Sequence, residues 1–97
     1  MMPQETDTGM DDRRKRILYR CQHRGMKEMD IFLGQFASAH VARLSEADLA
    51  DLERLMDVFD QDLFKWMTGR QPVPAEHDTP VYRAIISFRQ AQVAAES

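Results

Sequence analysis

A chain of 97 residues has room for one domain with a thin core and too little for a deep substrate cleft. Thirteen Lys and Arg against sixteen Asp and Glu leave a net charge of −3, which excludes the basic surface field that general nucleic-acid binding needs. Cys21 stands alone, so no internal disulfide can form. His23, His40 and His77 lack zinc-site spacing, and no apolar run reaches the roughly 18 residues of a membrane-spanning helix.

The opening residues carry Glu5, Asp7, Asp11 and Asp12 and no apolar signal core, a pattern expected of a protein of the bacterial cytoplasm. Residues 1–11 are expected to be a flexible polar N-terminus, 12–92 a single helical domain and 93–97 a C-terminal tail. Helical periodicity dominates, punctuated by short breakers, so the expected fold is all-α, a compact bundle of five short helices. Asp11 or Asp12 can start a first helix through RRKRILYRCQHR, with Ile17, Leu18 and Cys21 on a narrow apolar side and Arg13, Arg16 and Arg20 in a basic stripe. A second helix from about Met26 sets Met29, Phe32, Leu33, Phe36 and His40 on one face, at i, i+3, i+4, i+7 and i+11. Ser45, with Asp48 three residues on, caps a third helix in which Leu49, Leu52, Met56 and Phe59 share a face. Asp60 or Asp62 restarts the chain into a fourth, with Leu63, Phe64 and Met67 inward and Gly69 ending it. After the linker RQPVPAEHD, Thr79-Pro80 opens a fifth helix with Val81, Ile85 and Phe88 on one face.

Few residues could carry chemistry. No glycine-rich phosphate loop, HExxH or CxxC is present. Cys21 and His23 would lie on different faces of a helix, so Cys21 reads as a small core hydrophobe rather than a nucleophile. His40 reads as a boundary histidine and the methionines as core filler. Trp66, beside the inward Met67, leaves two readings open, a core anchor or an exposed partner anchor. Neither a metal nor a stably bound cofactor is expected.

Gly25 asks for a physical reason, because glycine inside a helix costs roughly 1 kcal/mol relative to alanine. At a corner between the first two helices it can take a positive φ and end the first, and a bare corner also lets a partner's surface come close. Arg24 and Glu28 on one helix would be an i, i+4 pair in the poorer orientation, worth at most a few tenths of a kcal/mol. Both are therefore expected on an exposed surface, where alanine changes stability by less than about 0.5 kcal/mol.

RGMKEMD, residues 24–30, resembles the RGxxE signature of the small succinate dehydrogenase assembly factors, the flavinators that promote covalent attachment of FAD to the flavoprotein subunit. RKRILYRC before it, and LSEADL and DQDLFKWMTG after it, stand in an order similar to that family's, over about residues 13–90. The resemblance implies a chaperone-like factor rather than an enzyme. Its partner would be the flavoprotein subunit of succinate dehydrogenase, with that of fumarate reductase as a second candidate. The implied partner-facing surface holds Arg24, Gly25, Met26, Glu28 and Asp30, with Arg24 expected on a partner carboxylate or on the partner's exposed active-site region and Glu28 on a basic group; Arg20, Asp62 and Trp66 are candidate secondary contacts. FAD would stay with the partner, and the chain is expected to be a monomer that neither binds nucleic acid nor enters a membrane. A regulatory adaptor or antitoxin-like inhibitor of another protein would share this fold and charge and is the competing expectation.

Overall fold

Asp11 proves to be the first cap: its carboxylate accepts the Arg14 N–H at 2.9 Å, and α1 runs Asp12–Gln22. The computed structural model describes residues 11–96 and arranges them as five helices, with no strand among the described residues. The expected flexible segment before Asp11 lies outside them. α2 covers residues 27–40, α-helical at Lys27–Met29 and Gln35–His40 with a π-helical turn at Asp30–Gly34 between. A 3-10 turn at Val41–Arg43 leads to Ser45, whose hydroxyl accepts the Asp48 N–H at 3.1 Å and starts α3, Glu46–Met56.

The fourth helix, α4, runs Asp60–Met67. Neither Asp60 nor Asp62 caps it; Phe59 holds the N-cap position without a side-chain bond, because the Asp60 carboxylate is engaged elsewhere. Its far end closes as expected at Gly69, with φ of 79°. There the Gly69 N–H donates to the Trp66 carbonyl and the Arg70 N–H to the Lys65 carbonyl, a Schellman closure that needs the left-handed residue. Thr79 Oγ1 accepts the Tyr82 N–H at 3.2 Å and opens α5, Pro80–Glu96. α5 therefore continues past Gln92 into the residues expected to form a tail.

The core is built from the predicted faces: Ile17 and Cys21 of α1, Met29, Leu33 and Phe36 of α2, Leu49, Leu52 and Met56 of α3, Leu63 of α4, and Val81 and Ile85 of α5. The packing departs from those faces at two places. The π turn carries one residue more than an α turn, so the second half of α2 is rotated, burying Ala37, with Val41 of the following 3-10 turn, while His40 lies at the rim as its boundary reading expects, tilted against Phe36 and edge-on to Phe88. Gly34, inside this turn, meets α1 directly: a Cβ there would stand 3.3 Å from the Cys21 carbonyl oxygen. Phe59 is the second departure. Periodicity puts it on the buried face of α3, but that helix stops at Met56, and the ring projects from the following turn 80% exposed.

The basic stripe of α1 faces α3. Arg13 reaches Glu46 at 2.6 Å and Glu53 at 2.8 Å, and Arg20 reaches Asp57 at 2.9 Å. These pairs orient two helices whose apolar faces supply the packing energy, since exposed ion pairs contribute little each.

A braced corner between α1 and α2

Between α1 and α2 the chain turns at residues 23–26, and three successive backbone N–H groups there point at carboxylates. The Arg24 N–H donates to Asp30 Oδ1 at 2.6 Å, and the Gly25 and Met26 N–H groups both donate to Asp60 Oδ2, at 2.9 and 3.1 Å. The other Asp60 oxygen accepts from Arg24, Nε at 2.8 Å and Nη2 at 2.7 Å. The same guanidinium donates to the Met56 carbonyl at 2.8 Å and the Val58 carbonyl at 3.0 Å. Arg24 thereby closes the C-terminal end of α3, where carbonyls lack helical partners and a cation is favoured. Arg14 does the same at the end of α2, donating to the carbonyls of Val41 and Leu44.

These contacts correct the expectation for Arg24. Its side chain is 11% exposed and that of Asp60 16%, so the pair is an internal brace rather than a free surface cation waiting for a partner's carboxylate. The reason is the planar fork of guanidinium, which serves a carboxylate and two carbonyls at once. Gly25 is corrected too: among the described residues only Gly69 has a positive φ, so the corner turns without a left-handed residue. Gly25 is exposed, and a Cβ on it would make ordinary contact with Asp60 at 3.4 Å.

The remaining predicted residues separate. Glu28 is exposed in the first turn of α2 and makes no side-chain hydrogen bond or ion pair to a described residue. Met26 is half-buried against the core, and Asp30 is turned back onto the Arg24 N–H. Arg20 lies nearby, on a cleft of about 360 Å³ that it lines with Tyr19, Arg24, Gly25, Phe59 and others. Trp66 does not join them: its indole stacks on His77 at 5.6 Å and packs against the core, lining a separate cleft with Val73, Tyr82 and Ile86. Asp62 is half-buried on α4 and lines neither cleft. Asp60, which holds the whole corner together, reads from sequence only as a helix start; the signal for its real role is its place in DQDLFKWMTG, the companion of a motif that begins with arginine.

Cys21 and His23 do not form a nucleophile and base pair. Burial pushes the Cys21 thiol up to about 12, and its sulfur lies 3.2 Å from that of Met56, while His23 sits beyond the helix end, stacked on Tyr19 at 3.9 Å. Among the described residues no group of three or more His, Cys, Asp or Glu side chains could hold a metal, and no helix is long and apolar enough to cross a membrane.

Residues 15–89, which include the corner, its brace and all five helices in whole or part, match the family described as flavinator of succinate dehydrogenase. The chain belongs to that flavinator family. A bacterial relative, the FAD assembly factor SdhE of Acetobacter pasteurianus, is 36% identical over 74 residues, which are 76% of this chain and 68% of that one. Succinate dehydrogenase assembly factor 2 of Dictyostelium discoideum, a mitochondrial protein, is 38% identical over 72 residues, 74% of this chain and 51% of the relative. Assembly factor 2-B of Drosophila persimilis is 33% identical over 85 residues, 86% and 54% respectively. The chain thus spans about half the length of these two mitochondrial relatives.

Proposed function

We propose that this chain binds the flavoprotein subunit of succinate dehydrogenase and promotes covalent attachment of its FAD, acting in the bacterial cytoplasm as a monomeric folding partner rather than as an enzyme. The observation that supports this most directly is the shape of the corner. Its three backbone N–H groups and the Arg24 guanidinium are satisfied internally, while Glu28 stands outward at its edge with its charge uncommitted. A rigid corner with one free carboxylate suits recognition of a basic group on another protein, since little ordering entropy is lost on docking. It does not suit general acid or base catalysis, which needs the carboxylate held against a bound substrate, whereas Glu28 faces open solvent.

Nor does the corner offer an obvious cradle for the pyrophosphate of FAD, because the three N–H groups that could receive a phosphate already donate to Asp30 and Asp60. We therefore assign FAD to the partner, whose own residues carry out the attachment once this chain favours the reactive arrangement of an immature subunit. The fumarate reductase flavoprotein is a second target of the same chemistry.

The test is covalent flavin fluorescence on denatured flavoprotein subunit from cells lacking the gene and supplied with wild type, Glu28→Ala or nothing. Wild type should restore the fluorescent band. Glu28→Ala should melt like wild type yet weaken binding by about 1.5–3 kcal/mol, the worth of a hydrogen bond to a charged group, and leave the band faint. Equal bands with and without the gene would refute the assignment, and a stoichiometric yellow chromophore on the purified chain would refute the placement of FAD.

A further inference from the structure

Phe59 has no reason to be where it is on grounds of folding. It is one of three large apolar residues exposed among the described residues, and with Tyr19, the second of them, it lines the cleft at the corner. It also lines a second recess of about 300 Å³, with Gly25, Met26, Asp60 and Gln61. The ring therefore borders two clefts, both walled by residues of the family motif.

The backbone that carries that ring is held from both sides. Arg24 bonds the carbonyls of Met56 and Val58 on one side of Phe59 and the carboxylate of Asp60 on the other, and the Phe59 carbonyl itself accepts the N–H groups of Asp62 and Leu63. A side chain carried on such a turn has only its own two χ angles to lose on binding, which is what a binding anchor needs.

We propose that Phe59 is the apolar anchor of this surface, inserting into a ring-sized apolar recess of the flavoprotein subunit while partner side chains enter the clefts beside it. The partner's identity rests on the function proposed above. The occupant follows from continuity: Arg24 and Asp60 brace the Gly25 corner and the Phe59 turn together, so a protein seated on Gly25 and Glu28 meets Phe59 as well. Arg24 then acts through the backbone it holds, as a positioning residue.

Affinity for the non-covalently FAD-loaded flavoprotein subunit, measured by calorimetry on the full chain, tests this beside the melting temperature of each variant. Phe59→Ala should melt like wild type, because the ring is 80% exposed, yet bind about 30-fold more weakly or worse, the loss typical of a truncated anchor. Phe59→Leu should regain most of the affinity, and Val93→Ala, at an exposed apolar residue on α5, should lose none. If wild type binds and Phe59→Ala binds equally well, the anchor is refuted while the proposed function stands. If wild type does not bind the subunit, both fall. A wild-type dimer seen by light scattering and dissolved by Phe59→Ala, with subunit affinity unchanged, would assign the ring to a second copy and overturn the proposal.

Discussion

Arg24→Ala is the perturbation on which the two views of this corner differ most. As a surface residue Arg24 would be dispensable to folding; as a brace it is among the more costly single deletions in the chain. Truncation removes donors to Met56 and Val58 carbonyls at 2.8 and 3.0 Å and leaves the Asp60 carboxylate, 16% exposed, without its cation. Breaking a buried pair from one side costs about 3–5 kcal/mol, and hydrogen bonds to charged groups about 1.5–3 kcal/mol each. These figures are not additive, Asp60 keeps two backbone donors, and water can enter a site that is not fully buried, so the expected loss is about 2–4 kcal/mol. In a domain of this size that lowers the melting temperature by roughly 10–25 °C. Circular dichroism at 222 nm during heating, with urea titrations beside it, measures the change. Asp60→Asn should also destabilise, since an amide cannot accept on both sides as the carboxylate does, and the double variant should lose less than the sum. A melting temperature within about 2 °C of wild type for Arg24→Ala would show that the brace contributes under 0.5 kcal/mol and that the inward orientation is wrong.

Three further outcomes check other parts of the structure. Gly34→Ala should lower the melting temperature, because crowding against the Cys21 carbonyl at 3.3 Å costs about 1–3 kcal/mol while the gain in helix propensity is only about 1 kcal/mol; a rise would show that α1 and α2 do not touch there. Cys21 should be inert to a thiol reagent such as Ellman's at pH 8 in the folded protein and react fully in urea, given a buried thiol pushed up to about 12; prompt native reaction would contradict its burial. The hydrogen bond from Arg13 holds the Glu53 carboxyl below its ordinary value near 4.5, so this pair's contribution is present above that pH and is lost as pH falls through the lower folded value. Glu53→Gln should thus differ from wild type in stability at pH 7 and converge with it in acid, and a constant gap across that range would refute the linkage.

The helices are legible in the sequence because their determinants are local. Ser45 with Asp48, Thr79 before Pro80, and Gly69 after α4 each act on backbone groups within a few residues, and the apolar spacing of Leu49, Leu52 and Met56 declares a face without knowledge of what covers it. Arg24 is not legible in this way. Its partners are 32, 34 and 36 residues away, at Met56, Val58 and Asp60, and nothing local distinguishes an arginine that folds inward from one that faces water. The basic stripe is closer to legible. Arg13 and Arg20 are seven apart, as are Glu46 and Glu53, with Asp57 four further on, so complementary stripes at helical spacing can be matched. Gly34 is open to the reasoning applied to Gly25: a glycine inside an amphipathic helix needs a cause, and here it is helix contact at a π turn rather than a bare corner. Phe59 falls inward by periodicity alone, which holds only while the helix continues, and α3 ends at Met56.

The inward arginine changes how defects in this motif are to be read. Arg24 and Glu28 stand four residues apart, yet one holds the corner and the other projects from it, so loss of function at each reaches the partner by a different physical route. An Arg24 variant unfolds or loosens the turn that carries Phe59, and its binding defect should shrink wherever stability is restored, by cooling or by compensating substitutions elsewhere in the core. A Glu28 variant keeps the fold, and its defect should persist unchanged under the same conditions. Salt discriminates the two further: a contact between exposed charges weakens as the Debye length falls from about 10 Å at 0.1 M to 3 Å at 1 M, while the largely buried Arg24–Asp60 pair is screened much less. Binding by the wild-type chain should therefore fall with ionic strength by an amount that Glu28→Ala largely abolishes, whereas the melting temperature changes little over the same range. A binding curve indifferent to salt would place the energy of docking on Phe59 and its neighbours and leave Glu28 only the gain of its own helix terminus.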